Sequence, residues 1–173
     1  RAGHDNVRAA TFQFVYSEEE PMPAEIGQPA PDFKLPDQAN NPVTLDDLKG
    51  SKAIIVFIPF PFTGVCESEL CAIRDDYAHL EGLGAKVIAI TTTPRPSVKA
   101  WSDQNNFQFP ILSDFWPHGA VAQAYGSLNE ANGAAWRYSY ILDADGVVRS
   151  IVRSDQLPQA RQHEEYARAL GEI

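Results

Sequence analysis

Residues 53–71, AIIVFIPFPFTGVCESELC, decide how the rest of the chain is read. The first eight, Ala53 to Phe60, form a continuous apolar run, the pattern of a strand buried on both faces of a sheet. Pro59 and Pro61 stiffen the end of that run and remove two backbone donors from it. Thr63 then sits where a helix N-cap belongs, and the pattern predicts a helix from about Cys66 to Leu80. Its apolar stripe is Leu70, Ile73, Tyr77 and Leu80, with Glu67, Asp75 and Asp76 elsewhere. Cys66 and Cys71, the only cysteines among 173 residues, both fall at the start of this helix. A helix N-terminus carries unpaired N–H groups and the positive end of the macrodipole, which favour an anion. Because the thiolate is the reactive form of cysteine, the placement marks Cys66 as a nucleophilic or redox-active thiol. Cys66 lies four residues before Leu70 and so joins the inward-facing stripe, where apolar neighbours such as Phe60 and Phe62 are expected to shelter it. The competing reading is a small buried cysteine filling core space.

Outward from this stretch, strand and helix signals alternate. Pro31–Leu35 reads as a short extended segment, and Thr44 as the N-cap of a turn through Leu45, Leu48 and Gly50. Lys86–Thr91 is a second buried strand, Pro96–Asn105 a helix, Pro110–Leu112 a short strand and Ala120–Tyr125 another helix. Tyr138–Leu142 and Val147–Val152 are β runs joined by Asp143-Ala-Asp145-Gly146, a hairpin turn. Pro158–Leu170 reads as a closing amphipathic helix. The order β-α-β-α-β-α-ββ-α indicates a single α/β domain with a mixed central sheet flanked by helices, the thioredoxin-like arrangement.

Composition narrows the setting. Apolar residues make up 44% and charged residues 21%, as in globular proteins, and the formal net charge is −9. That charge argues against nucleic acid and anionic membranes as partners. No window approaches the run of about 18 apolar residues that a membrane span needs. Two cysteines are too few for a disulfide scaffold, so a cytoplasmic setting and a catalytic or redox use are expected. The only methionine is Met22, and residues 1–21 read as a vector-derived or upstream extension ahead of a domain over 22–173. The alternative is a native arm in which Phe12, Phe14, Val15 and Tyr16 form a strand.

Pro59, Thr63 and Cys66 spell Pro-x-x-x-Thr-x-x-Cys, which resembles the peroxiredoxin signature, and Arg137 matches that family's distant active-site arginine. The likeness spans roughly residues 22–170, including Ala30-Pro31-Asp32-Phe33 and Ser113-Asp114. It implies that Cys66 is the peroxidatic nucleophile, that Thr63 holds the peroxide, that Arg137 stabilises charge and that Pro59 shields the sulfur. These roles suit the chemistry, since O–O cleavage requires a desolvated thiolate and donors for the departing oxygen. Without the motif, Arg137 reads as an ordinary surface ion pair. Glu69, three residues after Cys66, would by itself raise a thiol pKa, but the family's Cys-x-x-Glu implies that it orients the arginine.

Two subtypes meet in this chain. Its FPFTGVCESEL and SDFWPHGAVAQAYG resemble the alkyl hydroperoxide reductase E type, whose well-known member works with one cysteine. Its Cys-x-x-x-x-Cys resembles the bacterioferritin comigratory protein (Q) type, in which the second cysteine resolves the first. Cys71 is thus expected to attack the Cys66 sulfenic acid and close an intramolecular disulfide, or else to stand by while an external thiol does so. Helix positions five apart have Cα atoms roughly 8.5 Å apart, against about 4.4–6.8 Å in a disulfide, so the helix start must unwind first.

The resemblance also implies peroxide as substrate, a thioredoxin-like protein or low-molecular-weight thiol as reductant, a homodimer and no bound cofactor. His4, His79, His118 and His163 show no zinc spacing, and Asp143-x-Asp145-Gly146 lacks the Glu of a calcium loop. Trp136, beside Arg137, is a candidate fluorescence reporter, and Phe115-Trp116-Pro117-His118 a candidate pocket rim or dimer contact. The rivals are a thiol–disulfide oxidoreductase, which normally carries Cys-x-x-Cys, and a redox-sensing interaction protein.

Overall fold

In a computed structural model that describes residues 23–173, the deciding stretch splits into β3 (Lys52–Phe57) and α1 (Gly64–Asp75). The reading of residues 1–21 as an extension lies outside the described residues. Before β3 come a small hairpin, β1 (Lys34–Pro36) with β2 (Pro42–Thr44), and a single 3₁₀ turn over Asp46–Leu48. After α1 follow α2 (Tyr77–Gly82), β4 (Ala85–Thr91), α3 (Arg95–Asn105), β5 (Ile111–Ser113) and α4 (Ala120–Ala124). A two-residue ladder, β6 (Leu128–Asn129) with β7 (Ala134–Ala135), leads into β8 (Arg137–Leu142), β9 (Val148–Ser154) and α5 (Glu164–Gly171).

The central sheet is mixed, in the order β5-β4-β3-β8-β9. β3, β4 and β5 run parallel, whereas β8 runs antiparallel to both β3 and β9. Alternate residues of β3 feed two separate cores. Ile54, Val56 and Ile58 pack with Leu70, Ile73, Val98, Trp101 and Leu170, under the helices α1, α2, α3 and α5. Ile55 and Phe57 pack on the other face with Phe33, Leu45, Tyr125 and Tyr140, under the hairpin and α4. A strand with period-two side chains needs apolar residues at every position when both faces are covered, which accounts for the unbroken run.

Several elements differ from the sequence reading: the expected extended segment Pro31–Leu35 is strand only at Lys34–Pro36, and β2, β6 and β7 are not among the expected strands. The apolar run stops being strand at Phe57, ahead of Pro59, which cannot donate to a ladder. The helix starts at Gly64 and breaks at Asp76, so the expected Cys66–Leu80 helix is two pieces, α1 and α2. Thr44 caps nothing. Its N–H and hydroxyl both donate to Asp47 Oδ2, so Asp47 supplies the acceptor that closes the turn. The closing helix begins at Glu164, not at Pro158, and residues 155–163 form a connection that passes over the sheet end.

The hairpin is as expected. Asp143 Oδ1 accepts from the N–H groups of Asp145 and Val147, and Oδ2 from Arg149, so the Asp-x-Asp-Gly run is a turn with an ion pair. Because β8 is antiparallel to β3, with Val56 opposite Ser139, its first residue arrives at the end of the sheet where β3 delivers the cysteine loop. That topology brings Arg137 to Cys66.

Candidate active site

Thr63 occupies the N-cap of α1 with extended backbone (φ −109°, ψ 144°), and Cys66 stands in the first turn behind it. Cys66 is 0% exposed, on the side of α1 that faces the first core. Its Sγ receives two donors: the backbone N–H of Phe60 at 3.4 Å and an Arg137 Nη1–H at 3.3 Å. Thr63 Oγ1 does not close a capping bond; it donates to the carbonyl of Phe60 at 2.6 Å. One residue, Phe60, thus ties the threonine hydroxyl and the cysteine sulfur to the same stretch of main chain. Pro59 is buried beneath this loop. The rings expected to shelter the sulfur do not: Phe60 and Phe62 are exposed, and the shelter comes from the helix and the sheet. Phe62 turns outward on a left-handed backbone (φ 64°), a conformation that is strained for an aromatic residue.

Arg137 is no surface ion pair. It is 2% exposed and pairs with Glu69 Oε2 at 2.5 Å, while its Nε donates to the carbonyl of Leu157. Glu69 has a second partner that sequence reasoning missed, Arg161, which is 6% exposed. The backbone N–H and Nε of Arg161 both donate to Glu69 Oε1, at 2.8 and 2.9 Å, and an Nη2–H reaches Oε2 at 3.2 Å. Its remaining Nη1 donates to the carbonyl of Phe57 and to Ser139 Oγ, and Ser139 is bonded in turn to Tyr166. Burial pushes the Tyr166 hydroxyl above its ordinary value, so it stays a neutral hydrogen-bonding group.

Charge bookkeeping explains this geometry. Two buried guanidinium groups face one buried carboxylate, which leaves one positive charge unbalanced. Buried charges are tolerated only when paired and hydrogen-bonded, and the further group that Arg137 Nη1 reaches is Cys66 Sγ. The signal for Arg161 was in the sequence. The acidic pair Glu164-Glu165 is the first turn of a helix, where acidic residues favour the dipole, so Arg161 had to precede the helix rather than lie within it.

Cys71 lies five residues further along the same unbroken helix, and both thiols are free. It is half-buried against the core, with Sγ 3.9 Å from Asn105 Oδ1 of α3, the outer limit of a weak S–H···O contact. Burial pushes the Cys71 thiol up, while nearby Arg74 pulls it back. Phe115 and Trp116 are exposed, Trp116 at 82%. Trp136 is only half-buried, whereas Trp101 is fully buried and packs its ring 6.4 Å from that of Phe62. Among the described residues no cluster of His, Cys, Asp and Glu has the makings of a metal site.

A family model described as the AhpC/TSA family matches residues 26–151. The chain is 46% identical over 125 residues to alkyl hydroperoxide reductase E of Mycobacterium tuberculosis, covering 72% of this chain and 82% of that protein. Its fold is similar to that of Enterococcus faecalis AhpC, with a TM-score of 0.79, 31% identity, and 86% and 92% of the two chains covered. It is also similar to the peroxidoxin BcpB of Mycobacterium tuberculosis, with a TM-score of 0.74, 26% identity, and 86% and 95% covered.

Proposed function

The chain belongs to the AhpC/TSA family and is a thiol-dependent peroxidase, and on that premise we propose that Cys66 is the thiolate that attacks the peroxide O–O bond. The observation that carries this assignment is the sulfur itself, sealed from solvent yet within hydrogen-bond reach of Arg137 and the Phe60 N–H. In the attack, a Cys66 S–O bond forms, the peroxide O–O bond breaks, and the departing alkoxide or hydroxide takes a proton from water. Cys66 is oxidised to the sulfenic acid and the peroxide is reduced to an alcohol or water.

Arg137 meets the developing negative charge with a fixed, multiply hydrogen-bonded cation, and Glu69 and Arg161 hold that cation in place. Thr63, at the mouth of the pocket, offers its hydroxyl to the peroxide. Pro59, which has no N–H to add to the wall, keeps water off the sulfur from below. Cys71 then attacks the sulfenic acid and closes an intramolecular disulfide, which a thioredoxin-like protein or a low-molecular-weight thiol reduces. A second reading, that an external thiol alone resolves Cys66, is favoured by the intact helix, which keeps the two sulfurs apart. A homodimer and a cytoplasmic setting complete the proposal. No helix among the described residues is long and apolar enough to cross a membrane.

Peroxide turnover by Cys66→Ser and Cys71→Ser, each supplied with thioredoxin or a small thiol, tests the assignments. Cys66→Ser is expected to consume no peroxide. Cys71→Ser is expected to keep the first oxidation and to lose turnover with thioredoxin. Equal turnover of Cys71→Ser and the parent chain with every reductant would falsify the resolving role.

A further inference from the structure

The stretch of α1 from Cys66 to Cys71, which must open before the two sulfurs can bond, is gripped from one side by α3. Trp101, fully buried on that helix, points its indole Nε1–H at Glu67 Oε2, 3.4 Å away, one residue beyond Cys66. The same indole packs against Phe62, in the strained loop just ahead of the helix. Four residues further along α3, Asn105 donates from its side chain to the carbonyl of Trp101 and sets its Oδ1 beside Cys71 Sγ. Arg74 Nη1 donates to the Asn105 carbonyl at 2.7 Å, at the open C-terminal end of α3. Both ends of the Cys66–Cys71 turn are therefore fastened to one short segment, residues 101–105.

These contacts contribute nothing to the sulfur chemistry of Cys66, whose donors come from the loop and β8. What they oppose is the unwinding that disulfide closure requires. We propose that α3 is a clasp, with Trp101 on Glu67 and Asn105 on Arg74, that sets how fast Cys71 reaches oxidised Cys66. Glu67, Trp101, Asn105 and Arg74 are thus positioning residues that divide the enzyme's time between a wound, peroxide-competent form and an open, resolving form. The inference rests on the reading of Cys71 as the resolving thiol. In the step it governs, Cys71 thiolate attacks Cys66 Sγ, the S–S bond forms, the S–O bond breaks, and hydroxide leaves to combine with the proton Cys71 gave up. No further oxidant is needed.

Rapid-mix experiments with hydrogen peroxide, quenched in acid and read by intact mass, separate the two phases. Glu67→Ala is expected to leave the first phase, gain of one oxygen, within about twofold of the parent. It should speed the second phase, loss of water to the disulfide, about three- to tenfold, as suits one long hydrogen bond. Glu67→Gln keeps an acceptor for the indole and should restore the parent rate. Trp101→Phe keeps most of the ring but removes the donor, and should match Glu67→Ala, with no further gain in the double variant. Should the Trp101 variant fail to fold, the Glu67 pair decides alone, since that side chain is only half-buried.

A parent chain that closes its disulfide while Glu67→Ala closes no faster overturns the clasp and leaves the resolving role intact. A parent chain that gains one oxygen and never closes overturns the resolving role, and the clasp with it. Rate gains shared by Glu67→Ala and Glu67→Gln also overturn the clasp, because they trace to the charge at the helix start instead.

Discussion

Cys66 and Cys71 share one helix and meet opposite surroundings. Around Cys66 the protein spends two arginines, a glutamate, a backbone N–H and the carbonyls of Phe57 and Leu157, drawn from α1, β3, β8 and the connection before α5. Around Cys71 there is a half-buried surface, one weak contact to Asn105 and a neighbouring guanidinium. The first end is pre-organised and dry, so its donors are worth more than in water and need no rearrangement during the reaction. The second rests half-buried against the core, and among the described residues its polar ties run only to Asn105 of α3. Under the proposed mechanism, attack by Cys66 demands rigidity, whereas reach by Cys71 demands that the same helix give way.

The sharpest way to break that contrast is to exchange the thiols' fates. Cys66→Ser should lower peroxide consumption about a thousandfold or more, measured by stopped-flow, while Cys71→Ser leaves the first oxidation intact. A comparable loss of the first phase in both variants would mean that the two ends are not distinct. Next in size is Glu69→Ala, which leaves two buried guanidinium groups facing each other. It should cost about 3–5 kcal/mol of stability by urea unfolding and also slow the first oxidation. Arg161→Met should do less to stability than Glu69→Ala, because Arg137 still satisfies the carboxylate, and a larger loss would locate the anchor in Arg161 instead.

Thr63→Val probes the mouth of the pocket. Loss of the hydroxyl should lower kcat/KM about ten- to a hundredfold with stability changed by only about 1 kcal/mol, since Thr63 is exposed. The smallest effect concerns pH. Burial holds the Cys71 thiol above its ordinary value, so the wound helix prefers the protonated form. That preference is complete below the ordinary thiol pKa of about 8.5 and is lost as pH rises through the wound-state value. Disulfide closure should therefore quicken a few-fold between about pH 8 and 10, read by quenched mass. The charges facing Cys71 are Arg74, Glu67 and Asp75, all of its own helix, and α3 adds the neutral Asn105. A rise centred on the ordinary thiol value of about 8.5, and no higher, would mean that burial does not hold the Cys71 thiol.

How much of this was legible follows from range. The β3 run, the hairpin at Asp143–Gly146 and the helix at 95–105 were readable because each is set by residues adjacent in sequence. That Cys66, Thr63 and Arg137 come together was readable through a motif, and in the case of Arg137 through no local physical signal. Arg161 was lost because Pro158–Leu170 has amphipathic spacing, and periodicity alone cannot tell a helix from a connection that precedes one. The break at Asp76 carries no Gly or Pro, so nothing local announced it. The shelter of Cys66 was credited to Phe60 and Phe62, yet the left-handed turn at Phe62 swings that ring outward, a choice made by tertiary packing.

The antiparallel placement of β8 has a consequence for the order in which the protein comes into being. Arg137 lies 71 residues after Cys66, and Arg161 lies 92 residues after Glu69. During synthesis the cysteine helix is therefore made long before either cation exists to answer it. Until β8 and the connection behind β9 have been added and the sheet has closed around them, Cys66 is chemically a common thiol on a nascent chain. On the proposed assignment, the sulfur becomes reactive only after both cations have been made and folded into place, which would spare the half-made protein from oxidation.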